Sequence, residues 1–134
     1  MRVRMVWAGA TGADAPRALA LLCDALAEWN LFLLTQRPSL PDLYRSGVRF
    51  QREDYEGVHP EDWRDVTEIL RRGGGDCEDL AAYRVADLRR RGERARTVFV
   101  EIPRPGGRMF HIFVERPGRP YEDPARELGM LSTE

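Results

Sequence analysis

The periodicity of the chain changes once, at Gly92, and no other feature constrains the fold as strongly. Before it, apolar residues recur at helical spacing. After Asp14-Ala15-Pro16 come Leu19, Leu22, Leu26, Trp29 and Leu33; after Pro60 come Val66, Ile69 and Leu70; after Asp76 come Leu80, Ala81, Tyr83, Val85, Ala86 and Leu88. Asp14 with Pro16 in the first turn, then Pro60, then Asp76 mark the three starts, and Gly73-Gly74-Gly75 and Gly92 mark the ends of the last two. Beyond Gly92 the pattern alternates: a strand over 97–102, a Pro-Arg-Pro-Gly-Gly turn, a strand over 109–115, an Arg-Pro-Gly-Arg turn and a short piece around Tyr121. Helices followed by an antiparallel meander predict an α+β class rather than a βαβ fold. Residues 1–7 alternate as a half-buried strand does, and 43–52 read as a helical turn leading into an extended piece.

A length of 134 residues with 43% apolar content suits one domain, residues 1–134, with its core at about 40–130 behind the N-terminal strand and long helix. With 22 acidic and 21 basic residues, no global field draws the chain to nucleic acid or to an anionic membrane. The most apolar run, 18–34, is interrupted by Asp24, Glu28 and Asn30 and reads as a core helix rather than a membrane span. The start lacks a continuous apolar stretch of the kind export signals carry. Two cysteines are too few for a disulfide framework, so a reducing, cytoplasmic setting is expected. Every basic residue is arginine. A glutamine-to-lysine crosslinker with this sequence would find no lysine of its own as amine donor.

The chemistry concentrates at Gly75-Asp76-Cys77-Glu78-Asp79, which puts a cysteine at the first position of a helix behind three glycines that read as a flexible turn. The first helical NH groups have no intrahelical partner and together favour a thiolate. The Cys77 NH is also a candidate donor to an oxyanion, with Asp76 as N-cap and Asp79 completing a variant capping box. Three adjacent carboxylates, Asp76, Glu78 and Asp79, oppose ionisation, so activation calls for a cation. Of the two histidines, His59 precedes Pro60 and reads as a helix-entry residue, whereas His111 alternates with the core-facing set Phe110, Ile112 and Val114. A tight turn centred on Pro117-Gly118 gives paired positions numbers summing to about 235, which puts Asp123 opposite His111 to within one residue. A carboxylate there would fix the imidazole tautomer and support its cationic form. Cys23, mid-helix, reads as a buried small hydrophobe. Tyr55, Trp63, Phe99 and Phe113 either line a cleft or pack in the core. One thiol and one histidine fall short of a zinc ligand set, so no metal and no cofactor is expected.

Gly75-Asp76-Cys77-Glu78-Asp79-Leu80-Ala81, then His111-Ile112-Phe113-Val114-Glu115, then Tyr121-Glu122-Asp123-Pro124 resemble the transglutaminase-like superfamily. The likeness is nearest to short bacterial and prophage-encoded members, including Trp63-Arg64-Asp65 and Leu128-Gly129-Met130, and covers about residues 40–130. The resemblance implies a papain-like core, N-terminal helices on a C-terminal antiparallel sheet with the cysteine starting the central helix, and a triad of Cys77, His111 and Asp123. Chemistry of that kind is acyl transfer from an amide of a protein or peptide, as a cysteine peptidase or amidase. Two alternatives stay open: a protein-glutamine crosslinker, and a non-catalytic assembly protein whose partners would be phage structural proteins. The length leaves no room for the added domains and calcium sites of large animal transglutaminases.

Overall fold

A computed structural model describes residues 13–52 and 63–131. The strand expected over residues 1–7, together with Tyr55, His59 and the Pro60 helix start, lies outside them.

The first helix, α1 (Ala15–Gln36), has Pro16 in its first turn as expected, and Pro38 follows its end. Asp14 holds the N-cap position in a helical conformation (φ −92°, ψ −8°) rather than the extended one usual for a capping side chain. The buried face is not the expected leucine row. It runs through Cys23, Ala27, Asn30 and Leu34, rotated about one residue, because small side chains let α1 lie close against the neighbouring helix. Trp29 is 41% exposed and stacks on Phe32, with ring centroids 5.5 Å apart. The expectation that this run is too polar for a membrane does not hold by composition: at 22 residues, with an 18-residue stretch of mean hydropathy 1.5, α1 is long and apolar enough to cross one. Here one of its faces is part of the core.

After a 3₁₀ turn (Leu43–Arg45), β1 (Arg49–Phe50) pairs in parallel with β2 (Gly74–Gly75), Arg49 opposite Gly74 and Phe50 opposite Gly75. Between them, α2 (Val66–Arg72) starts later than expected, with residues 63–65 outside any helix. Its start is fixed by two side chains. Asp65 Oδ1 accepts from Glu68 N at 3.0 Å, and the buried Asn30 of α1 accepts from Val66 N at 3.0 Å. Gly73, at φ +78°, closes α2 in the left-handed region.

The central element is α3 (Cys77–Arg90). Every residue from Glu78 to Leu88 is buried, so the helix is enclosed all round rather than apolar on one side. Leu80, Tyr83 and Ala86 face a cluster with Leu34, Leu43, Val66 and Ile69. Ala81, Ala82, Val85 and Leu88 face a second cluster with Cys23, Ala27, Ile112 and Val114. Burial of each large aliphatic side chain contributes roughly 1.5–3 kcal/mol, so α3 organises both halves of the core.

Strands β3 (Arg96–Arg104) and β4 (Gly107–Glu115) form an antiparallel hairpin in register Arg96–Glu115 through Arg104–Gly107. Both strands run further than the sequence reading allowed, leaving Pro105 and Gly106 as the loop. Pro103 lies within β3, which among the described residues pairs on one side only, and an edge strand tolerates a missing NH. The third strand of the meander reduces to one antiparallel bridge, Val114 with Glu122, and the chain then turns into α4 (Pro124–Glu127). The architecture is α+β: mixed helices with a small antiparallel sheet.

Candidate active site

Cys77 is the first residue of α3, where the sequence reading put it. The capping box is complete: Asp79 Oδ2 accepts from Asp76 N at 3.1 Å, and Asp76 caps in return. Asp79 is fully buried, and its other oxygen accepts from Arg64 N at 2.8 Å, tying the Trp63-Arg64 segment to the start of α3. Arg64 Nη1 donates to Gly74 O at 2.9 Å, so the residues just ahead of the cysteine are braced from the same side.

Two expectations are overturned here. The Cys77 NH donates to Asp76 Oδ1 at 2.7 Å, because the capping side chain folds back onto the next residue; this NH is committed rather than open to an oxyanion. The glycines are not a flexible turn either. Gly74 and Gly75 are buried and paired with β1, and a Cβ on Gly74 would collide with the Arg49 carbonyl oxygen.

The Cys77 thiol is half-buried and donates to Glu78 Oε2 at 3.3 Å. Glu78 is only 4% exposed, so its carboxylate acts on the sulfur with little solvent screening. Removing that charge favours the thiolate: Glu78→Gln is expected to raise the rate of Cys77 alkylation at pH 7 by roughly threefold to tenfold. A fall in rate would instead make Glu78 the proton acceptor for the thiol.

His111 and Asp123 meet. His111 Nε2 lies 2.7 Å from Asp123 Oδ2, and the histidine is 4% exposed. Burial pushes the Asp123 carboxyl up, but the hydrogen bond and charge of His111 more than offset it, leaving it below the usual carboxylate value. An ionised carboxylate only accepts, so Nε2 carries the proton and Nδ1 is the basic nitrogen. Asp123 reaches His111 from a different setting than expected. It is the N-cap of α4, its Oδ1 accepting from Arg126 N at 3.3 Å, rather than a member of a paired strand. The observed bridge has position numbers 114 and 122, one step from the expected register, and the side chain covers the difference.

His111 and Cys77 sit on elements packed against one another. Cys77 lies against the cluster containing Ile112, the residue after His111. Trp63 and Phe99, both half-buried, pack against the same cluster as Cys77. Phe113 stands edge-on to His111, centroids 4.8 Å apart, and Tyr121 lies 5.7 Å beyond Phe113. Cys23 is buried with its thiol pushed up, by desolvation first, as expected of a packing residue.

No family model, curated protein or solved structure matches this chain. The site is therefore read from its own geometry. Asp76, Cys77 and Glu78 place one ligand atom each within 4.8 Å of one another, a set of two carboxylates and a thiol in which Asp76 also caps the helix.

Sequence reasoning missed Glu122 and Arg84. Arg84 Nε donates to Glu122 Oε2 at 2.6 Å and Tyr44 Oη donates to the same oxygen at 2.7 Å. The available signal was a charged residue in the middle of the apolar run of α3, which calls for a buried partner.

Proposed function

We propose that the protein is a thiol-dependent acyl-transfer enzyme with a papain-like arrangement, Cys77 as nucleophile, His111 as base and Asp123 as the orienting acid. The observation that carries this reading is the 2.7 Å contact between a buried imidazole and a carboxylate, on elements packed against the helix that begins with Cys77. It accords with the resemblance of these segments to the transglutaminase-like superfamily.

In the proposed reaction the Sγ–H bond breaks and its proton moves to His111 Nδ1 as sulfur bonds to the carbonyl carbon of an amide. The N-terminal end of α3 favours the negative charge that develops there. The carbon–nitrogen bond then breaks, and the imidazolium proton passes to the departing amine, leaving a thioester on Cys77. Water attacks the thioester with its proton taken by Nδ1, and the sulfur recovers a proton as the acid leaves. Hydrolysis is favoured over crosslinking because the half-exposed thiol is open to water. A protein or peptide is the substrate class.

Iodoacetamide labelling followed by mass spectrometry tests the reading. Cys77 should label rapidly with a pH-dependent rate, Cys23 should not label in the folded protein, and His111→Ala should slow Cys77 by roughly 100-fold. Slow labelling of Cys77 at an ordinary thiol's rate, unchanged in His111→Ala, would remove the basis for catalysis. That outcome would favour the non-catalytic scaffold, for which the specific observation is the thiol's contact with Glu78.

A further inference from the structure

We propose that Arg84 and Glu122 are positioning residues for the acid of this site: through them the helix that presents Cys77 also sets the place of Asp123. The inference rests on the catalytic reading of Cys77, His111 and Asp123. Its geometry can be tested separately.

Asp123 is gripped on both sides. After it, the buried Pro124 starts α4. Before it, Glu122 exchanges two backbone hydrogen bonds with Val114, its N donating to Val114 O at 2.9 Å and its O accepting from Val114 N at 2.8 Å. Val114 lies three residues beyond His111 on β4, so this bridge aligns the two chains. Two hydrogen bonds at the end of a hairpin do not by themselves fix the side chain of the next residue, because isolated bridges fray. The second restraint comes from the Glu122 side chain. Arg84 Nε and Nη2 contact its two oxygens at 2.6 and 3.3 Å, with the two side chains 8% and 20% exposed. Tyr44 adds its hydroxyl at 2.7 Å and offers its ring face to the Arg84 guanidinium, 4.6 Å from the centroid. Arg116 lies 3.6 Å from the other oxygen. A forked guanidinium with a stacked ring defines direction as well as distance.

Arg84 stands two turns along α3 from Cys77. Nucleophile and acid are thereby referred to one rigid element, and His111 is bonded to the acid. Glu122 touches no reacting atom in the proposed chemistry; it acts through Asp123.

The hydrogen bond between His111 and Asp123 is the readout. Asp123 is in contact with the imidazole, Arg126 Nε lies 3.3 Å from the same Asp123 oxygen, and Glu122, Arg84 and Arg116 form the adjoining network. Proton NMR at fixed pH, with His59→Ala to leave a single histidine, observes the imidazole proton shared with Asp123 as a downfield resonance. Arg84→Met should move that resonance upfield and slow Cys77 labelling at pH 7 by roughly tenfold. Arg84→Lys, which keeps the charge but not the fork, should fall between Arg84→Met and the parent. Tyr44→Phe, a gentler change for the case in which Arg84→Met fails to fold, should give a smaller shift in the same direction. An unchanged resonance in folded Arg84→Met or Tyr44→Phe overturns the positioning role while leaving the catalytic reading intact. A shifted resonance with no change in labelling sustains the positioning and counts instead against His111 as the base.

Discussion

Asp87→Asn is expected to make the protein more stable than its parent by about 4 kcal/mol at pH 8, and by only about 1 to 2 kcal/mol at pH 5. Asp87 is fully buried in α3, its Oδ2 accepting from Leu43 N at 2.8 Å and its Oδ1 without a hydrogen bond. Desolvation pushes its pKa up to about 7. The Leu43 NH lowers it in part, the Asp42 charge raises it, and Arg90 and Arg84 lower it. The unfolded chain ionises near the ordinary aspartate value, so between there and neutral pH the folded state holds a proton that the unfolded state has released. A raised pKa thus contributes stability that is fully present below the unfolded pKa and is lost as pH rises through 7. From pH 5 to 7 that amounts to two units, about 2.7 kcal/mol. Asparagine keeps an acceptor for Leu43 N and has no charge to bury. Urea unfolding at the two pH values measures the difference. A variant equally or less stable at pH 8 would show that Arg90, 3.7 Å away, compensates the ionised form.

Gly74→Ala is expected to cost about 2–4 kcal/mol, against about 1 kcal/mol for Gly73→Ala. The two glycines are adjacent and their constraints differ in kind. Gly73 has φ +78° and open space around a built Cβ, so alanine there meets only the strain of the left-handed region. Gly74 has ordinary backbone angles, but its Cβ would run into the Arg49 carbonyl oxygen and lie 2.6 Å from Gln51 side-chain carbons. Relief requires β1 and β2 to separate, weakening Arg49 N to Gly73 O (3.1 Å) and Gln51 N to Gly75 O (2.8 Å). The Arg64 brace on Gly74 O would shift with them, so slower Cys77 labelling should accompany the lost stability. Equal costs at the two positions would return the segment to the flexible turn that its sequence suggests.

What could be read in advance follows from how far each constraint extends along the chain. The start of α3 was legible because Asp76 and Asp79 cap it locally, and the core face of β4 was legible because alternation is local too. Gly74 and Gly75 carry no side chain to advertise a strand, and their pairing depends on residues 25 positions earlier. The buried face of α1 was misassigned because leucine outweighs Cys23 and Ala27 in any hydrophobic pattern, while close helix packing selects the small residues. Asp123 was placed beside His111 by counting residues around a turn, a count that survived the replacement of the expected strand by a helix cap. Arg84 was invisible as a functional residue because its partner lies 38 positions away.

The enclosure of α3 has a consequence for how a substrate could be met. With every side chain from Glu78 to Leu88 inside the molecule, this helix cannot slide or turn without disrupting both clusters, so the sulfur is a fixed anvil. Whatever adjusts to admit a substrate must be the hammer on the other side. Among the described residues, the elements with one open edge are the strand β3 and the far end of its hairpin, where Pro105 and Gly106 turn the chain. Under the proposed function, divergence of substrate preference among chains built this way would accumulate in that hairpin, while the run from Gly74 to Leu88 stayed constant.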